Sequence, residues 1–212
     1  METASGFYAG RVFPWLNDRL ANDPALQQLR VEAVQPARGR VLEIGFGTGL
    51  DLQHFTGAVT EVVAVEPNAG MLLRARPRIA AGGVPVEVIQ GTAEHLPLPD
   101  ASVDTAVSVL TLCSVAEPER ALAELRRVLR DDGRLLLMEH GLADDPGVAR
   151  WQGRLDWLQA RVACGCHLNR PVARLVQAQG FRFESLRQLF VPKMPRTHGW
   201  LTLAVAAKAP LH

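Results

Sequence analysis

Three glycines in five positions, Gly45, Gly47 and Gly49, follow directly on the apolar run RVLEI, and an acid, Glu43, lies inside that run. Glycine is normally kept where a Cβ would collide or where φ must be positive, because it costs backbone entropy elsewhere. The spacing reads as a loop whose backbone N–H groups meet a ligand, with a helix N-terminus behind it adding partial positive charge. A second acid, Glu66, closes the next apolar run, EVVAVEP. A carboxylate there can accept hydrogen bonds from both hydroxyls of a ribose. Three readings compete: a turn that holds nothing, a dinucleotide site, and a site for S-adenosylmethionine. Dinucleotide loops read G-x-G-x-x-G, but here the third glycine comes one residue early and Leu50 stands in its place. No arginine fork or P-loop lysine accompanies the loop to hold a pyrophosphate. An adenosine ending in an ammonium and a carboxylate fits better, which favours S-adenosylmethionine.

Further along the chain stand groups that could act on an acceptor. His140 ends the run RLLLMEH. It reads either as a base or orienting group working near neutrality, or as a buried histidine bonded to its loop. Cys164, Cys166 and His167 form a C-x-C-H cluster. A structural metal site usually wants four ligands in paired spacing, and no second pair occurs here, so no metal is expected. Two readings of the cluster remain: cysteines packed as small apolar residues, or a segment CGCHLNR lining an acceptor pocket. Trp15, Trp151, Trp157 and Phe7 are either core or the wall of an apolar acceptor pocket. Asp51, His54 and His95 read as exposed or locally bonded residues.

Positioning these groups requires a regular scaffold. The runs at 40–45, 61–67, 86–91, 103–112 and 134–140 are short and nearly continuously apolar. Such runs fit strands buried on both faces of a parallel sheet. Helical stretches at 49–55, 69–79 and 118–130 alternate with them, as βαβ units require. Residues 7–21 and 25–35 read as helices before the sheet, and 148–163 and 170–180 as helices after it. The runs 181–191 and 200–208 are joined by a short connection, which makes an antiparallel pair. The expected fold is α/β: a Rossmann-like, seven-stranded, mostly parallel sheet with helices on both faces and an antiparallel C-terminal strand. One domain spans 1–212: a helical N-terminal lid segment (1–36), a donor-binding core (37–140), and acceptor-side helices with a terminal strand pair (141–212). Gly6 and Gly10 flank Tyr8 as hinges for the lid.

VLEIGFGTG, AVEPN, GTAEHLPLPDASVDTAVSVLTL and ELRRVLRDDGRLLLMEH together resemble class I S-adenosylmethionine-dependent methyltransferases of the type 11 group. By that resemblance Glu43 and Gly45 lie near the methionine end of the donor, Gly47 and Gly49 shape the loop, and Glu66, followed by Pro67, takes the ribose. Ala93 and Glu94 lie beside the adenine, Leu110 and Thr111 lie below the sulfonium, and Tyr8 closes over the donor. Many relatives carry Asp where this chain has Thr92. A narrower resemblance, carried by LTLCSV, MEH and GCHLNRP, is to the membrane-associated alkyl-thiol methyltransferases of animals and their soluble bacterial relatives. Cys166 and His167 of GCHLNRP, together with Trp151, are the candidate acceptor-side residues. The first-choice acceptor is a small, fairly apolar thiol. The alternatives are an amine such as phosphatidylethanolamine, and a Rossmann-like protein that binds without catalysis.

The composition sets outer bounds. The 212 residues are 48% hydrophobic and 21% charged, and 23 basic against 22 acidic residues leave +1. That balance gives no global field for nucleic acid. Three cysteines fit a reducing compartment, so the expected location is the cytoplasm. No run approaches the roughly 20 apolar residues of a membrane span, and peripheral lipid contact stays open.

Overall fold

A computed structural model describes residues 6–210; residues 1–5 of the lid segment and residues 211–212 lie outside the described part. Seven strands form one sheet: β1 (Gly39–Ile44), β2 (Val59–Val65), β3 (Val86–Ile89), β4 (Val103–Val109), β5 (Leu129–His140), β6 (Phe181–Phe190) and β7 (Trp200–Lys208). Their spatial order is β3-β2-β1-β4-β5-β7-β6. The first five strands pair parallel, and β7 runs antiparallel between β5 and β6. The order reverses between β1 and β4, so the carboxyl ends of those strands form the crevice where ligands bind in such sheets.

The continuous apolar runs follow from burial on both faces. Leu42, Ile44, Val63, Ala106, Leu135 and Leu137 face one cluster. Their strand neighbours Val41, Val62, Val107, Leu136 and Met138 face the other. The helices α4 (Pro118–Val128) and α6 (Val172–Ala178) cover the first face through Leu122, Leu125, Val172 and Val176. The second is covered by α2 (Pro24–Val34) through Leu26, Leu29 and Val34. Each side chain so buried contributes roughly 1.5–3 kcal/mol.

Three local expectations change. The glycine loop is followed by a five-residue 3-10 turn, Leu50–His54, and not by an α-helix, so no helix macrodipole stands behind the loop. The β5 strand begins at Leu129, straight after α4, and passes through Asp131-Asp132-Gly133 with a register shift against β4. Gly133 sits so close to Leu129 and to the Asp104 carbonyl that a Cβ would overlap both. The helix expected over 7–21 is two joined elements. A π-turn over Tyr8–Val12 runs into α1 (Phe13–Ala21), where Pro14 takes a first-turn position that needs no N–H.

Candidate active site

The glycine loop leaves β1 with Gly45, Gly47 and Gly49 all at positive φ. Their reasons differ. A Cβ on Gly45 would fall 2.1 Å from Thr111 Oγ1, so Gly45 is set by the segment after β4 pressing on the loop. Gly49 is crowded by the Phe46 ring at 3.0 Å. A Cβ on Gly47 would meet nothing closer than 3.7 Å, so this backbone faces open space. The Gly47 N–H donates to Glu66 Oε2 at 2.9 Å, and the Asn68 N–H donates to Glu66 Oε1 at 2.8 Å. Burial raises the Glu66 carboxyl above its ordinary value, partly offset by the Asn68 and Gly47 N–H groups. Pro67, next to it, is exposed.

Behind the loop lies a charge cluster that the sequence did not announce. Glu43 is fully buried, and one of its oxygens has no partner. Burial first, then the neighbouring Asp51 charge, pushes its carboxyl well above the ordinary range. Asp51, expected to be exposed or locally bonded, is buried and bonded to a distant partner: both its oxygens accept from Arg30 Nη1 at 2.8 and 2.9 Å. On the other side, Asp18 of α1 accepts from Thr48 Oγ1 at 2.6 Å. Arg74 and Arg78 of α3 (Ala69–Ala81) pair with the same carboxylate. Burial pushes Asp18 up, but the Thr48 and Arg74 hydrogen bonds and the two arginine charges outweigh it and hold it below its ordinary value. The N-terminal segment is thus tied to the glycine loop by the Asp18–Thr48 hydrogen bond and to α3 by charge.

The segment after β4 is shaped by Glu139, the penultimate residue of β5, which is wholly buried. It accepts from Ser108 Oγ at 2.6 Å, from the Thr111 and Leu112 N–H groups at 2.9 Å and from the Cys113 N–H at 3.3 Å. These bonds hold Leu110 at φ +55° and turn Thr111 Oγ1 onto the Ile44 carbonyl at 3.1 Å. A non-glycine residue in that region costs on the order of 1–3 kcal/mol, and such strain clusters at functional sites. Glu139 was not picked out from the sequence: its partners lie 26–31 positions away.

Tyr8 lies where a lid would. Its hydroxyl donates to the Val162 carbonyl at 2.7 Å, and the next carbonyl, of Ala9, accepts from Asn68 Nδ2 at 2.9 Å. The π-turn therefore bridges the Glu66 side to the end of α5 (Pro146–Val162). Ala93 is buried in the core. One oxygen of Glu94, Oε1, accepts from the Ala116 and Glu117 N–H groups just before α4.

On the acceptor side, His140 Nδ1 is buried without a partner, as is Trp200 Nε1. Burial, then the nearby His198, lowers the His140 ring to about 4. Cys166 packs against Cys113 with the sulfurs 3.6 Å apart, in a small cluster with Leu168. All three cysteines are free, and no metal-holding group of three ligands occurs among the described residues. The His167 ring is bonded to Asp156 at 2.8 Å, and the His167 backbone N–H donates to the Cys113 carbonyl. Trp151 does not wall the crevice. It lies on the outer face of α5 with Arg154 over its ring.

Residues 42–137 match the family described as methyltransferase domain. Over those residues the chain carries a methyltransferase domain. Over 128 residues it is 36% identical to the phosphatidylethanolamine N-methyltransferase of Cereibacter sphaeroides, covering 56% of this chain and 63% of that one. It is 40% identical over 109 residues to the ubiquinone/menaquinone biosynthesis C-methyltransferase of Pseudomonas fluorescens, covering 49% and 42%. The chain thus spans about half the length of the curated relatives it matches. A SAM-dependent methyltransferase from Thermotoga maritima superposes with a TM-score of 0.67 at 25% identity, over 96% of this chain and 98% of that one.

The residues present fit the methyl donor. The methyltransferase domain offers an open backbone at Gly47, and Glu66 has acceptor capacity left for ribose hydroxyls. The unpartnered Glu43 oxygen is a buried polar atom behind the loop with hydrogen-bonding capacity left. When bound, the donor supplies a methyl group already activated by its sulfonium. The chain's share is to hold it, to align the nucleophile and to exclude water.

Proposed function

We propose that this domain transfers the methyl group of S-adenosylmethionine to a small, fairly apolar acceptor, with a thiol as first choice. The acceptor sulfur takes the methyl carbon in line, and the electron pair of the broken bond returns to the donor sulfur, leaving S-adenosylhomocysteine. Glu66 with the Gly47 N–H, at the open edge of the sheet, is the observation that carries the donor half of this reading. The acceptor half rests on His140. With its pKa lowered to about 4, the ring is neutral near pH 7 and too weak a base to strip an alcohol or an ammonium. A thiol, with pKa about 8.5, supplies some thiolate without help. The unpartnered His140 Nδ1 then orients the acceptor rather than deprotonating it. We place the reaction in the cytoplasm, in keeping with the three free cysteines.

N-methylation of phosphatidylethanolamine or another amine is the second reading, favoured by the 36% identity to the Cereibacter enzyme. A panel of alkyl thiols, small amines and phosphatidylethanolamine vesicles, each read by mass spectrometry for the methylated product and for S-adenosylhomocysteine, separates the two. Thioether formation supports the first. Methylated headgroup with no thioether replaces it by the second. Donor binding with no product from any member favours a binding protein.

A further inference from the structure

We propose that the outer face of α5, with Phe7 of the adjoining π-turn, docks this domain on an anionic lipid bilayer. The helix lies across the carboxyl edge of the sheet, where the donor loop opens. Near its start, the buried Gln152 holds the Ala143 N–H at 2.9 Å, the Gly141 carbonyl at 3.0 Å and the Thr197 carbonyl at 3.1 Å. At its end, Val162 is tied to Tyr8. Its inner side is therefore spoken for, and its outer side is apolar where a helix facing only water would be polar. Trp151 is 55% exposed, Trp157 65%, Val162 51%, and Phe7 75%. Residues 151, 158 and 162 share one stripe by helical spacing, and Leu158 is exposed as well.

Charge selects the partner. Arg150, Arg154 and Arg161 stand beside this stripe and form no ion pair with the described residues. The one acid within α5, Asp156, is turned inward onto His167 and the Leu168 N–H. Gly147, Arg150, Trp151 and Arg154 line a surface hollow of about 180 Å³. That is below the roughly 300–1,000 Å³ of a pocket for a whole small molecule. Two guanidiniums around a shallow hollow suit the phosphate of a lipid headgroup, while exposed Trp and Leu enter the acyl boundary. An apolar acceptor dissolved in the bilayer would then meet the catalytic edge directly. This delivery rests on the methyltransferase reading, whereas the docking does not.

Sedimentation with vesicles therefore reads docking alone, without donor or acceptor. Phosphatidylcholine vesicles are compared with vesicles containing phosphatidylglycerol, for the wild type, for Arg150→Ser/Arg154→Ser/Arg161→Ser, and for Trp157→Ala/Leu158→Ala. The expected result is binding to the anionic vesicles that weakens with salt, with a blue-shifted tryptophan emission. The triple arginine variant should bind on the order of 100-fold more weakly, and Trp157→Ala/Leu158→Ala at least about tenfold more weakly with a smaller blue shift, from Trp151 alone on this face. Unchanged circular dichroism and melting temperature show that both variants are folded. Equal binding to neutral and anionic vesicles, or none to either, overturns the proposal. So does sedimentation velocity showing a dimer that Trp157→Ala/Leu158→Ala dissolves, which would assign the face to a second copy of the chain.

Discussion

Replacing Arg30 by Met removes one partner of a buried ion pair and leaves Asp51 beside Glu43 with no cation in contact. The Arg30 and Asp51 side chains are only 7% and 3% exposed, and both Asp51 oxygens are bonded to one guanidinium nitrogen. Breaking such a pair from one side costs about 3–5 kcal/mol, because the remaining charge is stranded away from water. For a chain of this size that corresponds to a fall in melting temperature of roughly 6–20 °C. Replacing both members by apolar residues of similar volume is commonly neutral or better. Arg30→Met/Asp51→Leu should therefore recover most of the loss. Reversible urea unfolding followed by circular dichroism, without donor, supplies all the values of the cycle. A single variant within about 1 kcal/mol of the wild type would refute the reasoning. So would a double variant no more stable than Arg30→Met, since the cost would then not come from a stranded charge.

The glycines separate stability from binding. Gly47→Ala should fold, losing about 1–2 kcal/mol to its positive φ, yet bind the donor at least about tenfold more weakly in a titration. Gly45→Ala should lose more stability, because its Cβ would collide with Thr111. His140→Ala should lower kcat roughly 10- to 100-fold while leaving donor affinity unchanged. His140 also makes stability depend on pH. Its folded pKa of about 4 lies below the unfolded value of about 6.5, so the unfolded chain binds the extra proton between them. Stability should then fall as pH drops through that window, and His140→Asn should flatten the fall in urea midpoints. Tyr8→Phe removes the bond to Val162, worth about 1 kcal/mol. Limited proteolysis should cut the N-terminal segment several-fold faster, and donor should slow that cutting.

The scaffold was legible because its signal is local. Val, Ile and Leu fill both faces of the parallel strands, so the runs at 40–45, 61–67 and 103–112 announce themselves, and the short 190s connection announces the final hairpin. The glycine loop and Glu66 were legible for the same reason. What was hidden depends on partners far along the chain. Arg30 and Asp51 are 21 positions apart, and Asp18 and Thr48 are 30 apart. Neither pair leaves a pattern, and Asp51 in isolation reads as a surface residue. Glu139 hides at the end of an apolar strand, where only the three-dimensional turn after β4 gives it a purpose. Trp151 was picked out as an aromatic, and aromatic identity alone does not say which face of α5 the residue takes; it ends exposed.

The most direct test of the central claim is calorimetric titration with S-adenosylmethionine and S-adenosylhomocysteine, with NAD as control, on the wild type and Glu66→Ala. The account predicts that both sulfur ligands bind and NAD does not. It also predicts that Glu66→Ala weakens binding at least about tenfold, because hydrogen bonds to a charged group are worth about 1.5–3 kcal/mol each. Binding of NAD in preference to both, or donor affinity unaffected by Glu66→Ala, would contradict it.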